Sequence, residues 1–271
     1  NVRYFFWVES HERRAMKAKS SNKCVSAFKK YLYMKFDGYC LPGIYAEEAM
    51  DHFVGNHGQR LGLANLVDDV SYQHAISKRK DTYELRLKYG IPAKKRVFFC
   101  PARLLKLKGL DLFLKSAGKV KGISKACFLL AGEGPMKKEL QDIADKENLD
   151  VHFMGYCNQD TVIEFYALSD FFFLPSLQDC NPLSAIEAAF AGLPLCVSIY
   201  TGNSPELIQP YKNGVVFDIL DTEEVQACIY FLLNASEEWV SNAGRESVAI
   251  AQNSFACINE TKKFLAQLRE G

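Results

Sequence analysis

No apolar run in this chain approaches the roughly 20 residues that a membrane-spanning helix needs. Its opening residues carry neither the basic region nor the apolar stretch of a signal peptide. Net charge is almost absent as well, since 33 Lys and Arg against 32 Asp and Glu leave +1 over 271 residues. A protein that binds nucleic acid by neutralising phosphates needs a basic excess, so nucleic acid is not an expected partner. The nine cysteines contain no C-x2-C pair and the five histidines show no H-E-x-x-H or similar spacing, so no metal site is expected. An odd cysteine count scattered through apolar segments such as Phe98-Phe99-Cys100 reads as buried free thiols. These absences predict a soluble, cytosolic protein.

What is present is ordinary in bulk, with 48% apolar and 24% charged residues. The length suits two domains, each with its own core. Short apolar runs alternate with amphipathic segments, the pattern of a parallel α/β architecture. Strands are predicted over 2–8, 38–41 and 61–67, with a helix between the first two that places Val25, Phe28, Leu32 and Phe36 on one face, and another helix over 46–53. Residues 69–80 lose periodicity and read as a linker. A fresh series follows, with strands over 96–100, 126–131, 151–153 and 171–174 and helices over 109–117, 135–147 and 160–168. The division expected is residues 1–68 as a partial first domain, 69–80 as linker, 81–255 as a second domain, and 256–271 as a helix that packs back on the first. A unit of 68 residues falls below the roughly 100–150 typical of a domain, which is why the first is expected to be partial.

Two segments carry chemistry. In Asp179-Cys180-Asn181-Pro182-Leu183-Ser184-Ala185-Ile186-Glu187, Asn181 is placed to cap a helix and Pro182 to begin it. The free N–H groups and positive dipole of that first turn suit an anion. Glu187 lies one and a half turns in and, because helical Cβ atoms tilt toward the N-terminus, reaches back toward the cleft that Asp179 enters. Two acceptor-only groups beside an anion site suggest a ligand rich in hydroxyls. Leu183, Ile186 and Phe190 form the expected buried stripe. The second segment, Pro101-Ala102-Arg103 through Lys108-Gly109, follows a strand and precedes a helix. It offers a planar guanidinium fork and a mobile ammonium, both suited to phosphate oxygens.

With Leu174-Pro175-Ser176 ahead of Asp179 and Ala188-Ala189-Phe190-Ala191-Gly192-Leu193-Pro194-Leu195 after Glu187, the region resembles the E-x7-E signature of retaining glycosyltransferases of family 4, which have the GT-B fold. Most members have Glu where this chain has Asp179. The Arg103 segment resembles the family's Gly-Arg…Lys-Gly motif, with Ala102 in place of the glycine. Gly132-Glu133-Gly134-Pro135 resembles its Gly-x-Gly-Pro turn; as a dinucleotide fingerprint it fails, because Lys137 holds the third glycine position. The likeness runs from about residue 97 to 217 and implies a complete donor domain with part of an acceptor-side domain, both Rossmann-like.

On that resemblance, Arg103 and Lys108 clamp a donor diphosphate, Glu187 holds the nucleotide ribose, and Asp179 with the backbone of Asn181, Pro182, Leu183 and Ser184 holds sugar hydroxyls. Gly132, Gly134, Tyr156 and Gly202 lie near the donor. Tyr156 stacks on the base or covers the core; both readings stand. Asn203 replaces the second glycine of a family pair, and Glu206 is either near the donor or a helix-start acid. His11 and Arg13 are acceptor-side candidates. The implied reaction moves a sugar from a nucleotide diphosphate to a carbohydrate or lipid-linked acceptor hydroxyl with retained configuration, in bacterial surface polysaccharide or glycolipid synthesis. No Asp-x-Asp triplet occurs, so the resemblance implies a metal-independent enzyme without cofactor. Lys17, Lys19, Lys23, Lys29 and Lys30 form a candidate patch for peripheral contact with the inner membrane face. The alternatives are a nucleotide-sugar binding fragment without transferase activity and a GT-B sugar-nucleotide epimerase.

Overall fold

The computed structural model describes residues 2–8 and 23–270. In chain order the first part holds β1 (Phe5–Trp7), α1 (Lys23–Tyr33), β2 (Gly38–Leu41), α2 (Ile44–Val54) and β3 (Gln59–Gly62). Its three strands pair in parallel in the order β1-β2-β3. A small core of Val8, Tyr39, Leu41, Ala46, Met50 and Val54 lies between this sheet and α2. His11 and Arg13 fall outside the described residues, as do Lys17 and Lys19.

The second part begins with α3 (Asp69–Lys78) and α4 (Thr82–Lys88) and continues with β4 (Arg96–Pro101), α5 (Leu110–Ala117), β5 (Ala126–Ala131), α6 (Lys137–Lys146), β6 (Val151–Gly155) and α7 (Gln159–Leu168). Then come β7 (Phe171–Leu174), α8 (Leu183–Phe190), β8 (Leu195–Ser198), α9 (Ser204–Leu207), β9 (Gly214–Phe217), α10 (Thr222–Leu233), α11 (Glu237–Phe255) and α12 (Cys257–Glu270). Six parallel strands form one sheet in the order β6-β5-β4-β7-β8-β9. Parallel sheets are covered on both faces, so their strands read as unbroken apolar runs. Here α5, α6 and α10 neighbour one another on one side, and α3, α7, α8 and α11 on the other. Phe98, Phe113, Phe128, Phe171 and Phe173 are fully buried, and the Phe113 and Phe173 rings stack at 4.7 Å. Truncating any one of these rings costs about 3–5 kcal/mol.

The direction in which strands are added reverses between β4 and β7: three strands are laid outward on one side, then three on the other. This is the doubly wound order whose switch point binds ligands beyond the carboxyl ends of the strands. Phe98 pairs with Phe171 and Phe99 with Phe172 across that point. The loop carrying Arg103 and Lys108 leaves β4, and the loop carrying Asp179 leaves β7. Topology alone brings them to one crevice.

Several expected elements differ. The opening strand is limited to Phe5–Trp7, and the third runs over Gln59–Gly62 rather than starting at Leu61. Residues 69–80, expected as an aperiodic linker, contain α3, started by the Asp68 carboxylate, which accepts from Ser71 N at 3.2 Å. Only Tyr72 and Ala75 of α3 are buried, too few to produce a visible apolar stripe. On α1 the apolar face is present, yet Val25, Phe28 and Leu32 are exposed and no residue of α1 is buried. Cys24 is likewise exposed, unlike the buried thiols expected of the set.

The two parts meet along α12 and the loop after β2. Gln267 accepts from Gly62 N through Oε1 at 2.8 Å, and its carbonyl accepts from Gln59 Nε2 at 3.0 Å, which seats α12 on β3.

Candidate active site

Four loops at the carboxyl edge of the larger sheet are laced together by backbone hydrogen bonds. Leu104 N donates to Glu133 O at 3.0 Å, Leu177 N to Leu107 O at 2.8 Å, Asp179 N to Tyr200 O at 3.1 Å and Gly202 N to Asp179 O at 2.8 Å. Loops joined in this way keep a fixed spacing, which a preorganised charge site requires. Gly109 ends the first loop with φ +64, and a Cβ there would stand 2.1 Å from Pro175 O. Only glycine lets the loops after β4 and β7 approach so closely. Gly132 has φ +148, and its missing Cβ leaves room for Ala102 O. Gly134 similarly lies against Leu104 O. Both glycines therefore abut the backbone on either side of Arg103.

Arg103 is exposed and pairs with none of the described residues. Lys108 behaves differently. Its ammonium is ion-paired with Asp179, with side-chain exposures of 20% and 15%. A cation expected on phosphate and a carboxylate expected on sugar thus neutralise each other in the crevice.

Glu187 is largely buried under the start of α8. Its Oε2 accepts from Tyr166 Oη at 3.0 Å, and the Tyr72 hydroxyl is a second hydrogen-bonding neighbour. Burial pushes its carboxyl above the usual carboxylate range, and the two phenol hydroxyls offset part of that rise. The same burial, with the Glu187 charge nearby, raises Tyr166 well above an ordinary tyrosine. Neither tyrosine was expected to bear on the site: Tyr166 lies on a helix read only as core, and Tyr72 in the segment read as a linker.

The helix start differs by one position from expectation. Pro182 is the N-cap of α8 and Leu183 its first residue. The Asn181 side chain does not cap α8; its Nδ2 reaches Pro42 O at 3.4 Å in the first part, and its Oδ1 accepts from Asn203 Nδ2 at 3.2 Å. Asn203 is buried and also donates to Pro182 O at 3.0 Å, so it pins the turn that opens α8. Leu183 is 44% exposed, whereas Ile186 and Phe190 are buried, which corrects the expected stripe. Ser184 is partly exposed, its carbonyl taken by Tyr166 Oη at 3.1 Å. Gly202 is buried beside Asp179. Tyr156 is 86% exposed at the edge near Gly155, so it does not cover the core.

The crevice therefore offers one guanidinium with no partner among the described residues, one ammonium held by a carboxylate, the N-terminal turn of α8 and a second, buried carboxylate. Cations beside a helix N-terminus suit a diphosphate, and acceptor-only groups suit hydroxyls.

This arrangement can be set beside known proteins. Residues 81–246 match the family described as glycosyl transferases group 1. The chain belongs to that family. Sulfoquinovosyl transferase SQD2 of Arabidopsis thaliana is 30% identical over 185 residues, 66% of this chain and 34% of that protein. A GDP-mannose-dependent mannosyltransferase of Corynebacterium glutamicum acting on a monoacylated phosphatidylinositol monomannoside is 25% identical over 188 residues, covering 66% of this chain and 48% of its own length. This chain thus spans less than half the length of these curated relatives. Among solved structures, sucrose-phosphate synthase of Thermosynechococcus elongatus superposes with a TM-score of 0.83 at 17% identity, over all of this chain and 68% of that one. Anabaena HepE, solved with UDP and glucose, gives 0.78 at 16% identity, over 98% and 71%. The fold is that of the GT-B glycosyltransferases. Among the described residues, no helix is long and apolar enough to cross a membrane.

Proposed function

We propose that this chain carries the donor site of a retaining glycosyltransferase of family 4, which moves a sugar from a nucleotide diphosphate to an acceptor hydroxyl. The observation that carries the proposal is the convergence of Arg103, Lys108, Asp179 and the start of α8 at the β4/β7 switch point. Negative charge develops on the diphosphate as the sugar C–O bond breaks. Arg103, Lys108 and the α8 dipole stabilise that charge, the kind of electrostatic contribution that often dominates catalysis. With cations supplied by side chains, the reaction needs no divalent metal and no cofactor. The acceptor oxygen bonds to the anomeric carbon on the face the phosphate leaves, and a phosphate oxygen takes the acceptor proton. No separate base is then required.

Asp179 holds sugar hydroxyls once Lys108 turns to the diphosphate, and Glu187 holds the ribose. Anabaena HepE was solved with UDP-glucose, which makes a uridine diphosphate sugar the first donor to test. Relatives named for a phosphatidylinositol monomannoside and for monoglucosyldiacylglycerol synthesis make a lipid-linked acceptor the first class to try, with carbohydrate the next. Such an acceptor would bring the enzyme to a membrane surface, where the exposed Lys23, Lys29 and Lys30 of α1 are candidate contacts. The experiment is a calorimetric panel of UDP, GDP and ADP with and without sugar, followed by acceptor-dependent transfer with the anomeric configuration of the product read by NMR. Transfer with inversion would contradict the mechanism, and donor consumption equal with and without acceptor would contradict transfer.

A further inference from the structure

Glu206 lies on α9, and its partner is in the other domain. Its Oε1 accepts from Ile44 N at 2.5 Å, a contact spanning 162 positions of sequence. Ile44 is the first residue of α2, whose N-cap is Gly43, a residue with no side chain to cap it. The first turn of a helix leaves N–H groups without partners, and its positive end favours a carboxylate. Glu206 therefore does for α2 what Asp or Ser does at an ordinary helix start. The approach depends on Gly43, because a Cβ there would lie 2.8 Å from Oε1.

The surroundings make this contact decisive for the interface. Beside it lies a cavity of about 350 Å³ whose lining includes Gly43, Leu63, Phe255, Lys263 and Gln267, so packing does not close this part of the interface. Glu206 Oε2 is buried with no hydrogen-bond partner among the described residues. Only Oε1 has a described partner outside its own helix. On the other side of Gly43, Asn181 Nδ2 reaches Pro42 O and Asn65 Nδ2 reaches Asn181 O, each at 3.4 Å. Asn181 is in turn held by Asn203, which immediately precedes α9. One short loop of the first domain is thus gripped from both sides by residues that border the donor site.

We propose that Glu206 is a positioning residue that caps α2 across the domain boundary and so sets how the first domain closes over the donor site. Its effect on transfer rests on the function proposed above; its effect on closure does not.

The test compares the full chain with Glu206→Ala, Glu206→Gln and Gly43→Ala, reading amide hydrogen exchange at Ile44, UDP affinity and, where transfer is found, kcat and KM. Losing a hydrogen bond to a charged group costs about 1.5–3 kcal/mol, so Ile44 exchange should rise roughly tenfold to hundredfold in Glu206→Ala. Gly43→Ala, which keeps Glu206 but displaces it, should show the same rise and serves if Glu206→Ala fails to fold. Glu206→Gln keeps the amide carbonyl as acceptor and should restore slow exchange and transfer. UDP affinity should stay within about twofold throughout, with kcat falling in Glu206→Ala, because the lesion is in closure rather than in the diphosphate contacts. Unchanged Ile44 exchange in Glu206→Ala and Gly43→Ala would overturn the proposal. So would Glu206→Gln losing transfer as fully as Glu206→Ala, which would mark a charge acting in the chemistry. A wild type that transfers no sugar would sink the proposed function alone, and Ile44 exchange would still decide the closure role.

Discussion

Lys108 and Asp179, 71 positions apart, form an ion pair across the switch point of the larger sheet. Both are largely withdrawn from water, so neither charge is free for a ligand until the other is satisfied elsewhere. On the proposed function, a bare diphosphate draws Lys108 away from Asp179 and offers the carboxylate nothing in exchange. A sugar diphosphate supplies hydroxyls to Asp179 at the same time. The pair thus provides a physical route to preferring the intact donor over its product.

The first prediction follows from that pair. Asp179→Asn releases Lys108, so UDP should bind at least as tightly as to the wild type. The added affinity of a UDP-sugar over UDP should shrink by about tenfold, the equivalent of roughly 1.4 kcal/mol. Paired titrations of both ligands check this, and UDP binding weakened in Asp179→Asn would mean that the pair instead holds Lys108 ready for phosphate.

Glu187 links stability to pH. Its folded carboxyl is raised by burial, so the folded state takes up a proton more readily than the unfolded chain. Its contribution is fully present below the unfolded carboxylate value and is lost as pH rises through the folded one. Glu187→Gln removes that loss, so the variant should melt higher than the wild type at pH 7 and show no such gain at pH 4. Nucleotide affinity should fall by about tenfold to hundredfold, as expected for losing a hydrogen bond to a charged group. Melting curves at the two pH values and one titration suffice; a gain larger at pH 4 would contradict the sign.

Gly109→Ala should be severe. The substitution forces a side chain onto φ +64 and drives it into Pro175 O, a backbone atom that cannot swing aside. A loss of at least about 2 kcal/mol is expected from the strain and displacement together. Urea unfolding measures it, and a loss below about 0.5 kcal/mol would show that the two loops are not held as described.

Much of this arrangement is legible from residue order. The unbroken apolar runs at Phe98, Phe128 and Phe171 mark covered parallel strands, and the charged loops that follow β4 and β7 meet because of strand order. The start of α8 is legible to within one position. What the pattern does not show is contact between distant segments. Asn181 looks like a local cap, but its partners Pro42, Asn65 and Asn203 lie far away in sequence. Glu206 looks like a helix-start acid for α9 and does lie in its first turn, but its Oε1 also accepts from Ile44 N at the start of α2. In α3 two buried residues on an otherwise polar helix leave no periodicity to read, while the apolar face that starts on α1 has a clear period, yet only Phe36 at its end packs on the core and Val25, Phe28 and Leu32 stay exposed. Period reports amphipathicity, and only the fold says what covers it.

The central claim is that the crevice between β4 and β7 binds the diphosphate of a sugar nucleotide, and Arg103 tests it most directly. The Arg103 side chain is exposed and bonds to none of the described residues, so Arg103→Ala should leave stability within about 0.5 kcal/mol of the wild type. Wild type with the matching nucleoside diphosphate at about 100 times its dissociation constant should gain roughly 2.7 kcal/mol of stability. The account predicts that this gain appears with one of UDP, GDP or ADP and is lost in Arg103→Ala. A folded wild type that gains nothing from any of the three, or an equal gain in Arg103→Ala, would contradict it.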